Sequence, residues 1–208
     1  MPTILFQGDS ITDTGRDRRV TDGNNASALG NGYPLIAAAN MLRAHPDSSL
    51  QIFNRGVSGD KVPALQARWG ADTIALKPDV LSILVGVNDL WHKLTGEYNG
   101  TVAEYELQYN NLLDGTKRTL PSVRLVILEP FVLVTGAVDA KWFPEFDERR
   151  AAAARVAKRA RATFIPLQSM FTRLARTAPS SYWLADGVHP TIAGHAAIAD
   201  RWREAVGL

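Results

Sequence analysis

Five short apolar runs, separated by stretches with helical spacing, constrain this chain more than any other feature. The runs are Thr3 to Gln7, Leu50 to Asn54, Val80 to Gly86, Leu125 to Glu129 and Thr163 to Pro166. "VLSILVG" and "LVILEP" are almost continuously apolar, the pattern of strands covered on both faces. Helical spacing predicts helices over Tyr33 to Arg43, Lys61 to Leu76, Thr101 to Leu120, Phe146 to Arg161, Leu167 to Ala178 and Thr191 to Val206. Pro190 marks the start of the last one. Strands alternating with helices imply a parallel sheet with helices on both faces, because right-handed crossovers carry successive helices over the sheet.

The chain has 208 residues, enough to bury one continuous core, and no repeat or linker divides it. We therefore expect one domain over residues 1–208. A net charge of +2 gives little support to nucleic-acid or anionic-membrane partners. The most basic stretch, Glu148 to Ala162, has no interleaved aromatic and reads as a solvated helix face rather than a nucleic-acid site. The absence of cysteine rules out disulfides, thiolate metal sites and cysteine nucleophiles, and fits the cytoplasm. No apolar run approaches the roughly 18–20 residues of a membrane span, and Met1 to Phe6 read as a strand rather than a leader.

Ligands of open α/β sheets bind beyond the carboxyl ends of the strands, near a switch in strand order. The loops to inspect are therefore "GDSITD", "NRGVSGDKV" and "GVNDLW", which meet if the first strand lies between the second and third. Two longer segments, Thr14 to Gly32 and Phe131 to Pro144, are expected as loops shaping the same region.

Acyl transfer to a hydroxyl needs a base, an acid that orients the base, and donors for an oxyanion. The chain has only His45, His92, His189 and His195. His45 sits beside Pro46 in a polar connection and reads as a surface residue. His92 follows the third strand, where it lines a cleft without an acid partner, and His195 lies inside the final helix as a structural residue. His189 is different: "LADGVHP" puts Asp186 three residues before it, just ahead of a helix start. There the pair is either a turn or a base with its orienting acid. Gly59 is either a turn glycine or an N–H donor, and Asn88 either caps a helix beginning near Leu90 or offers its amide. Ser10 is either a turn serine or a nucleophile. Ser58, beside Gly59, reads as a turn residue.

"GDSITD", "GVSGD", "GVND" and "DGVHP", in this order, closely resemble the four sequence blocks of the SGNH, or GDSL-type, hydrolases. Ser10, Gly59, Asn88 and His189 match the family's namesake residues, and Asp186 matches its acid. The blocks run from Gly8 to Pro190, nearly the whole chain. The α/β-hydrolase elbow G-x-S-x-G does not match "GDSIT". The resemblance implies a three-layer α/β/α sandwich with a five-stranded parallel sheet in flavodoxin-like order. It also implies a serine esterase without metal or organic cofactor, in which the loop bearing Asp186 and His189 folds over Ser10. Ser10, Asp186 and His189 would be catalytic, with Ser10, Gly59 and Asn88 forming the oxyanion hole. "GDSITDTGR", "ALGNGY", "LQARW", "VGVNDLW" and "GVHPTIAGH" further resemble the subgroup of intracellular acetylxylan and xylo-oligosaccharide acetylesterases, whose substrates are acetylated sugars.

Around this set, Trp91 and Trp183 are expected as walls of a small acyl pocket. Asp13 is expected either to reach a sugar hydroxyl or to order its loop, and Asp9 to bond loop backbone. The apolar loop Phe131 to Val138 is expected to line the cleft or a subunit interface, and a homo-oligomer is favoured over a monomer. Other classes compete: a metal-dependent phosphohydrolase using Asp9, Asp13, Asp186 and His189, a flavodoxin-like phosphate or flavin module, and an inert carbohydrate-binding protein. The acidic "GDSITD" disfavours phosphate.

Overall fold

The computed structural model describes residues 2–207; Met1 and Leu208, the ends of the expected domain, lie outside the described residues. β1 (Thr3–Gly8) runs directly into the one-turn helix α1 (Ser10–Asp13). α2 (Ala26–Leu29) and α3 (Tyr33–Ala44) lead to β2 (Gln51–Asn54). α4 (Val62–Trp69), continued by a π turn at Gly70–Ile74, leads to β3 (Val80–Leu84). α5 (Val87–Leu94) and α6 (Val102–Thr119) lead to β4 (Arg124–Leu128). A 3₁₀ turn at Ala140–Trp142 and α7 (Glu145–Arg159) lead to β5 (Thr163–Ile165). α8 (Leu167–Leu174), α9 (Ser180–Trp183) and α10 (Ile192–Val206) close the chain.

The five strands form one parallel sheet in the order β2-β1-β3-β4-β5. β1 thus lies between β2 and β3, and their three carboxyl ends are neighbours. Side chains alternate between two cores, as the strand period requires. Ile4, Phe6, Leu84, Val126 and Leu128 pack under α3, α8 and α10 on one face. Leu5, Leu81, Ile83, Leu125 and Ile127 pack under α4, α6 and α7 on the other. This is the expected three-layer α/β/α sandwich. Each fully buried Leu or Ile contributes roughly 1.5–3 kcal/mol of apolar transfer. The one polar interruption in β3, Ser82, is fully buried and accepts from the Trp202 indole N–H of α10 at 2.9 Å. Trp202 therefore reaches the sheet with no orphaned donor.

Several elements differ from the sequence reading. α1, α2 and α9 are four residues each and too short to display a helical period. α5 begins at Val87 with Gly86 at its cap, so Asn88 sits inside the first turn and does not cap a helix near Leu90. α8 stops at Leu174, short of Ala178. The loop Phe131 to Val138 lines neither the cleft nor an open apolar face. Phe131, Val132, Leu133 and Val138 are buried in the core, and Phe131 packs on Phe171 with ring centroids 4.5 Å apart. Only Val134 of its large apolar side chains is exposed. Four consecutive apolar residues suggest a cleft or subunit-interface lining because the sequence does not show that this loop is itself covered by α8.

Asn54, the last residue of β2, ties the loops together. Its amide donates to the carbonyls of Thr12 at 2.6 Å and Leu29 at 2.9 Å, and its oxygen accepts from Gly56 N–H at 2.8 Å. All of this is fully buried at Asn54. Asn54→Ala leaves these groups without their partner, and each such loss costs about 1–3 kcal/mol. We expect a destabilisation of about 2–4 kcal/mol in urea-induced unfolding followed by circular dichroism. A change below about 0.5 kcal/mol would contradict this role.

Candidate active site

Ser10 is the first residue of α1, delivered to the sheet edge by β1. Asp9 caps that helix: its Oδ1 accepts from Ile11 N–H at 3.0 Å. The turn needs Gly8, which has φ +154° and lies so close to β3 that a β-carbon would collide with the Leu84 carbonyl oxygen. Gly59, after β2, has φ +85°, also a glycine conformation. Among the described residues, neither Ser10 N–H nor Gly59 N–H donates to a protein acceptor. Asn88, in the first turn of α5, is held by a single bond from its Nδ2 to the Asp60 carbonyl at 3.1 Å. Its second amide proton is left free, so three donors border one space beside the Ser10 hydroxyl.

Across 179 residues of sequence, Ser10 Oγ lies 2.9 Å from His189 Nε2. His189 Nδ1 lies 2.7 Å from Asp186 Oδ2. The other carboxylate oxygen, Oδ1, accepts from the backbone N–H of Val188 at 2.9 Å and of His189 at 2.8 Å. Partial burial works to raise the Asp186 carboxyl, but these bonds outweigh it and hold the group below its ordinary value. Asp186 thus stays ionised, and its Oδ2 calls for a proton on His189 Nδ1, leaving Nε2 to accept from Ser10.

The loop carrying this pair is fixed on both sides. Leu184 pairs with Pro190 as an antiparallel bridge, and Ala185 N–H donates to the His189 carbonyl at 2.8 Å. The buried loop at Phe131 to Val138 holds it from beneath: Leu133 N–H donates to the Gly187 carbonyl at 2.9 Å and Ala137 N–H to the Asp186 carbonyl at 2.8 Å. That loop was expected to line the cleft or a subunit interface; it instead supports the loop that carries Asp186 and His189.

Ser10, Ser58, Gly59, Asn88, Trp91, His92, Thr95, Glu97 and His189 line a cleft of about 410 Å³. This is within the range of ordinary small-molecule sites. Trp91 forms one wall, its ring 5.8 Å from His189 and 5.6 Å from Trp142. Trp183 does not line the cleft. It packs partly buried against the core, and its carbonyl accepts from Thr191 N–H at 3.0 Å, closing the His189 loop. Asp13 lies below the cleft floor, 3% exposed. Its Oδ2 accepts from Arg18 at 2.6 Å and from Ser58 N–H at 2.8 Å, so it orders the loop rather than reaching a ligand. His45 is exposed at the end of α3. His195 is buried and accepts from Tyr33 N–H at 3.2 Å, and burial pushes it down to about 4. Asp9, Asp13, Asp186 and His189 are not gathered into one cluster: among the described residues no group of three His, Cys, Asp or Glu is placed to hold a metal ion. No helix among them is long and apolar enough to cross a membrane.

Sequence reading missed Arg68 and the contact between Lys61 and His92. Arg68 donates to Gly8 O at 3.3 Å, Arg55 O at 2.6 Å, Asp60 Oδ2 at 2.8 Å and Asp72 Oδ2 at 2.9 Å, joining the first two strand ends. Lys61 Nζ lies 2.9 Å from His92 Nδ1. Arg68 lies in the quoted "LQARW" stretch, which gave it no role, and the Lys61–His92 contact joins residues 31 apart with no local motif to mark it.

Comparison with known proteins agrees with this architecture. The model of the GDSL-like lipase/acylhydrolase family matches residues 6–197. An acetylxylan esterase of Geobacillus stearothermophilus is 32% identical over 99% of this chain and 94% of its own length. Its crystal structure superposes with a TM-score of 0.87 at 31% identity, covering 100% of this chain and 94% of that one. A GDSL-like protein of Parabacteroides merdae superposes with a TM-score of 0.96 at 47% identity, covering 99% of this chain and 95% of that one.

Two carboxyls flank the donors without ion-pair partners. Burial pushes Asp9 up to about 7, with Asp89 and Asp60 adding to the shift against the Ile11 N–H bond. Burial pushes Asp89 up to about 6, opposed by Arg149 and Lys61. Both folded values lie above that of the unfolded chain, so the native state keeps protons that the unfolded state has lost. Stability from these groups is full below about pH 4 and is lost as pH rises through about 6–7. Asp9→Asn keeps the cap acceptor but cannot ionise. Its Tm is expected to fall less than the wild-type Tm between pH 5 and pH 8 in scanning calorimetry. An identical fall in both proteins would contradict a proton held on Asp9.

Proposed function

The chain belongs to the GDSL-like lipase/acylhydrolase family and is a carboxylic ester hydrolase, and we propose that it removes acetyl groups from sugar hydroxyls through an acyl-serine intermediate. The observation that carries this reading is the hydrogen-bonded chain from Ser10 through His189 to Asp186, with 2.9 Å and 2.7 Å contacts, beside three free donors. His189 takes the Ser10 proton through Nε2 as Oγ attacks the ester carbonyl. Asp186 holds the imidazole in place and stabilises the imidazolium. The N–H groups of Ser10 and Gly59 and the Asn88 amide receive the oxyanion. The intermediate collapses as His189 Nε2–H protonates the departing alcohol. Water, deprotonated by His189, then attacks the acyl-serine and releases the carboxylic acid. No step requires a metal or organic cofactor.

Two observations favour a small acyl group on a sugar. Trp91, backed by Trp142, walls the space beside His189. The similar Geobacillus enzyme is an acetylxylan esterase. Small non-sugar or aryl esters are the alternative substrates within the same chemistry. We read the chain as one domain, and the cysteine-free composition is consistent with a cytoplasmic setting.

Ser10→Ala is expected to abolish hydrolysis of p-nitrophenyl acetate while leaving the circular dichroism spectrum unchanged, and a fluorophosphonate should label only the wild-type enzyme. Near-wild-type turnover by this variant would sink the nucleophile assignment. Asn88→Ala is expected to lower kcat by about 10²–10³, the usual effect of removing one oxyanion donor. Acetyl esters should turn over faster than octanoyl esters of the same alcohol, and the reverse order would refute the small acyl pocket.

A further inference from the structure

His92 lines the same cleft as Ser10, Gly59 and Asn88 but takes no part in the chemistry above. Its Nδ1 lies 2.9 Å from Lys61 Nζ. An ammonium group can only donate, so Nδ1 must accept. A neutral imidazole that accepts at Nδ1 carries its proton on Nε2. Protonating the ring would set two donors head to head. Burial, and then the charge of Lys61, push His92 below the ordinary histidine range, with Glu97 opposing. Lys61 thus selects a neutral ring with an N–H at Nε2, and no protein acceptor meets that N–H among the described residues.

The parts are held from two elements. Lys61 caps α4, two residues after Gly59, and its Nζ sits 5.2 Å from the centre of the Tyr98 ring. His92 lies in α5, and its carbonyl accepts from Glu97 N–H at 2.8 Å and Tyr98 N–H at 3.1 Å, which folds the Thr95 to Tyr98 turn against it. The space above Gly59 opens toward His92: a β-carbon there would meet nothing within 4 Å except His92 Cε1, at 3.9 Å. On the same rim, Glu97 uses Oε1 to accept from the Thr95 hydroxyl at 3.3 Å, leaving Oε2 free as an acceptor.

We propose that His92 Nε2–H and Glu97 Oε2 form a polar subsite above Gly59 that binds a free hydroxyl on the alcohol part of the ester, with Lys61 as the positioning residue that sets the His92 tautomer. The donor and acceptor together suit a hydroxyl, which both gives and takes a hydrogen bond. The ligand class is a polyhydroxylated leaving group. This deepens the sugar-ester reading and rests on it. An aryl ester such as p-nitrophenyl acetate has no such hydroxyl to offer.

The test compares kcat/KM on monoacetylated xylobiose, which keeps free hydroxyls, with kcat/KM on p-nitrophenyl acetate. His92→Leu should lower the sugar-to-aryl ratio about five- to tenfold, the effect of one net hydrogen bond, mainly through KM. His92→Gln, whose amide can still donate, should recover at least half of that loss. In ¹⁵N-labelled enzyme at pH 7, His92 should show a protonated Nε2 and a bare Nδ1, and Lys61→Met should raise the fraction of the Nδ1–H tautomer. An unchanged ratio in His92→Leu, or a His92 protonated at Nδ1 in the wild type, overturns the subsite while the sugar-ester reading stands. A wild-type enzyme that cleaves p-nitrophenyl acetate but not the monoacetylated sugar overturns both.

Discussion

The guanidinium of Arg68 is the contact on which the site's geometry depends. It sits under the carboxyl ends of β1 and β2 and donates to the carbonyl of Gly8, the carbonyl of Arg55 and the carboxylates of Asp60 and Asp72. The turn bearing Ser10 and the turn bearing Gly59 are thereby tied to one rigid plane. Asp60 passes the restraint on, because its backbone carbonyl accepts from the Asn88 amide. Ser10, Gly59 and Asn88, which border one cleft, come from three separate strand ends, and a shift of one end by a fraction of a hydrogen-bond length would change how their donors face that space. With only 18% of its side chain exposed, Arg68 works where screening by solvent is weak. Removing Arg68 would leave the buried Asp60 carboxylate without its partner, which is destabilising.

The opposite side of the cleft is fixed by packing and backbone bonding. The loop of Asp186 and His189 is anchored by Leu184 and Val188, both fully buried in the core. It borrows rigidity from the buried loop Phe131 to Val138, whose backbone bonds the carbonyls of Asp186 and Gly187, and from the Leu184–Pro190 bridge. Gly187, at φ +93°, lets the two loops come so close that a β-carbon would collide with the Leu133 and Thr135 carbonyls. The site therefore joins a hydrogen-bonded strand-end floor to a loop clamped from below, and the Ser10–His189 contact spans the seam.

Two buried carboxyls next in sequence to Ser10 and Asn88 lack full compensation. Among the described residues, both oxygens of Asp89 and Oδ2 of Asp9 have no hydrogen-bond partner. A protonated carboxyl is much cheaper to bury than a carboxylate, which is why both groups hold their protons to higher pH than usual. Such departures from a fully satisfied interior are common where an active site has been built at some expense of stability.

The order of strands and helices, the two-faced burial of β3 and β4 and the presence of a serine, an acid–histidine pair and donor-bearing loops were all legible in the sequence. Periodicity is a local property, and the apolar runs carry it clearly. Four-residue helices such as α1 and α9 carry too little period to be read, and the start of α5 was misplaced because Asn88 resembles a cap. The tertiary structure decided everything that depends on distant residues meeting. It set Asp13 beneath Ser58 and Arg18 rather than toward a ligand, kept Trp183 out of the cleft while admitting Trp91, buried the Phe131 loop, and brought Arg68 and the Lys61–His92 pair into play. Residue type and spacing determine what a side chain can do, but whether it faces the cleft is settled only when the sheet brings together segments as far apart as Ser10 and His189.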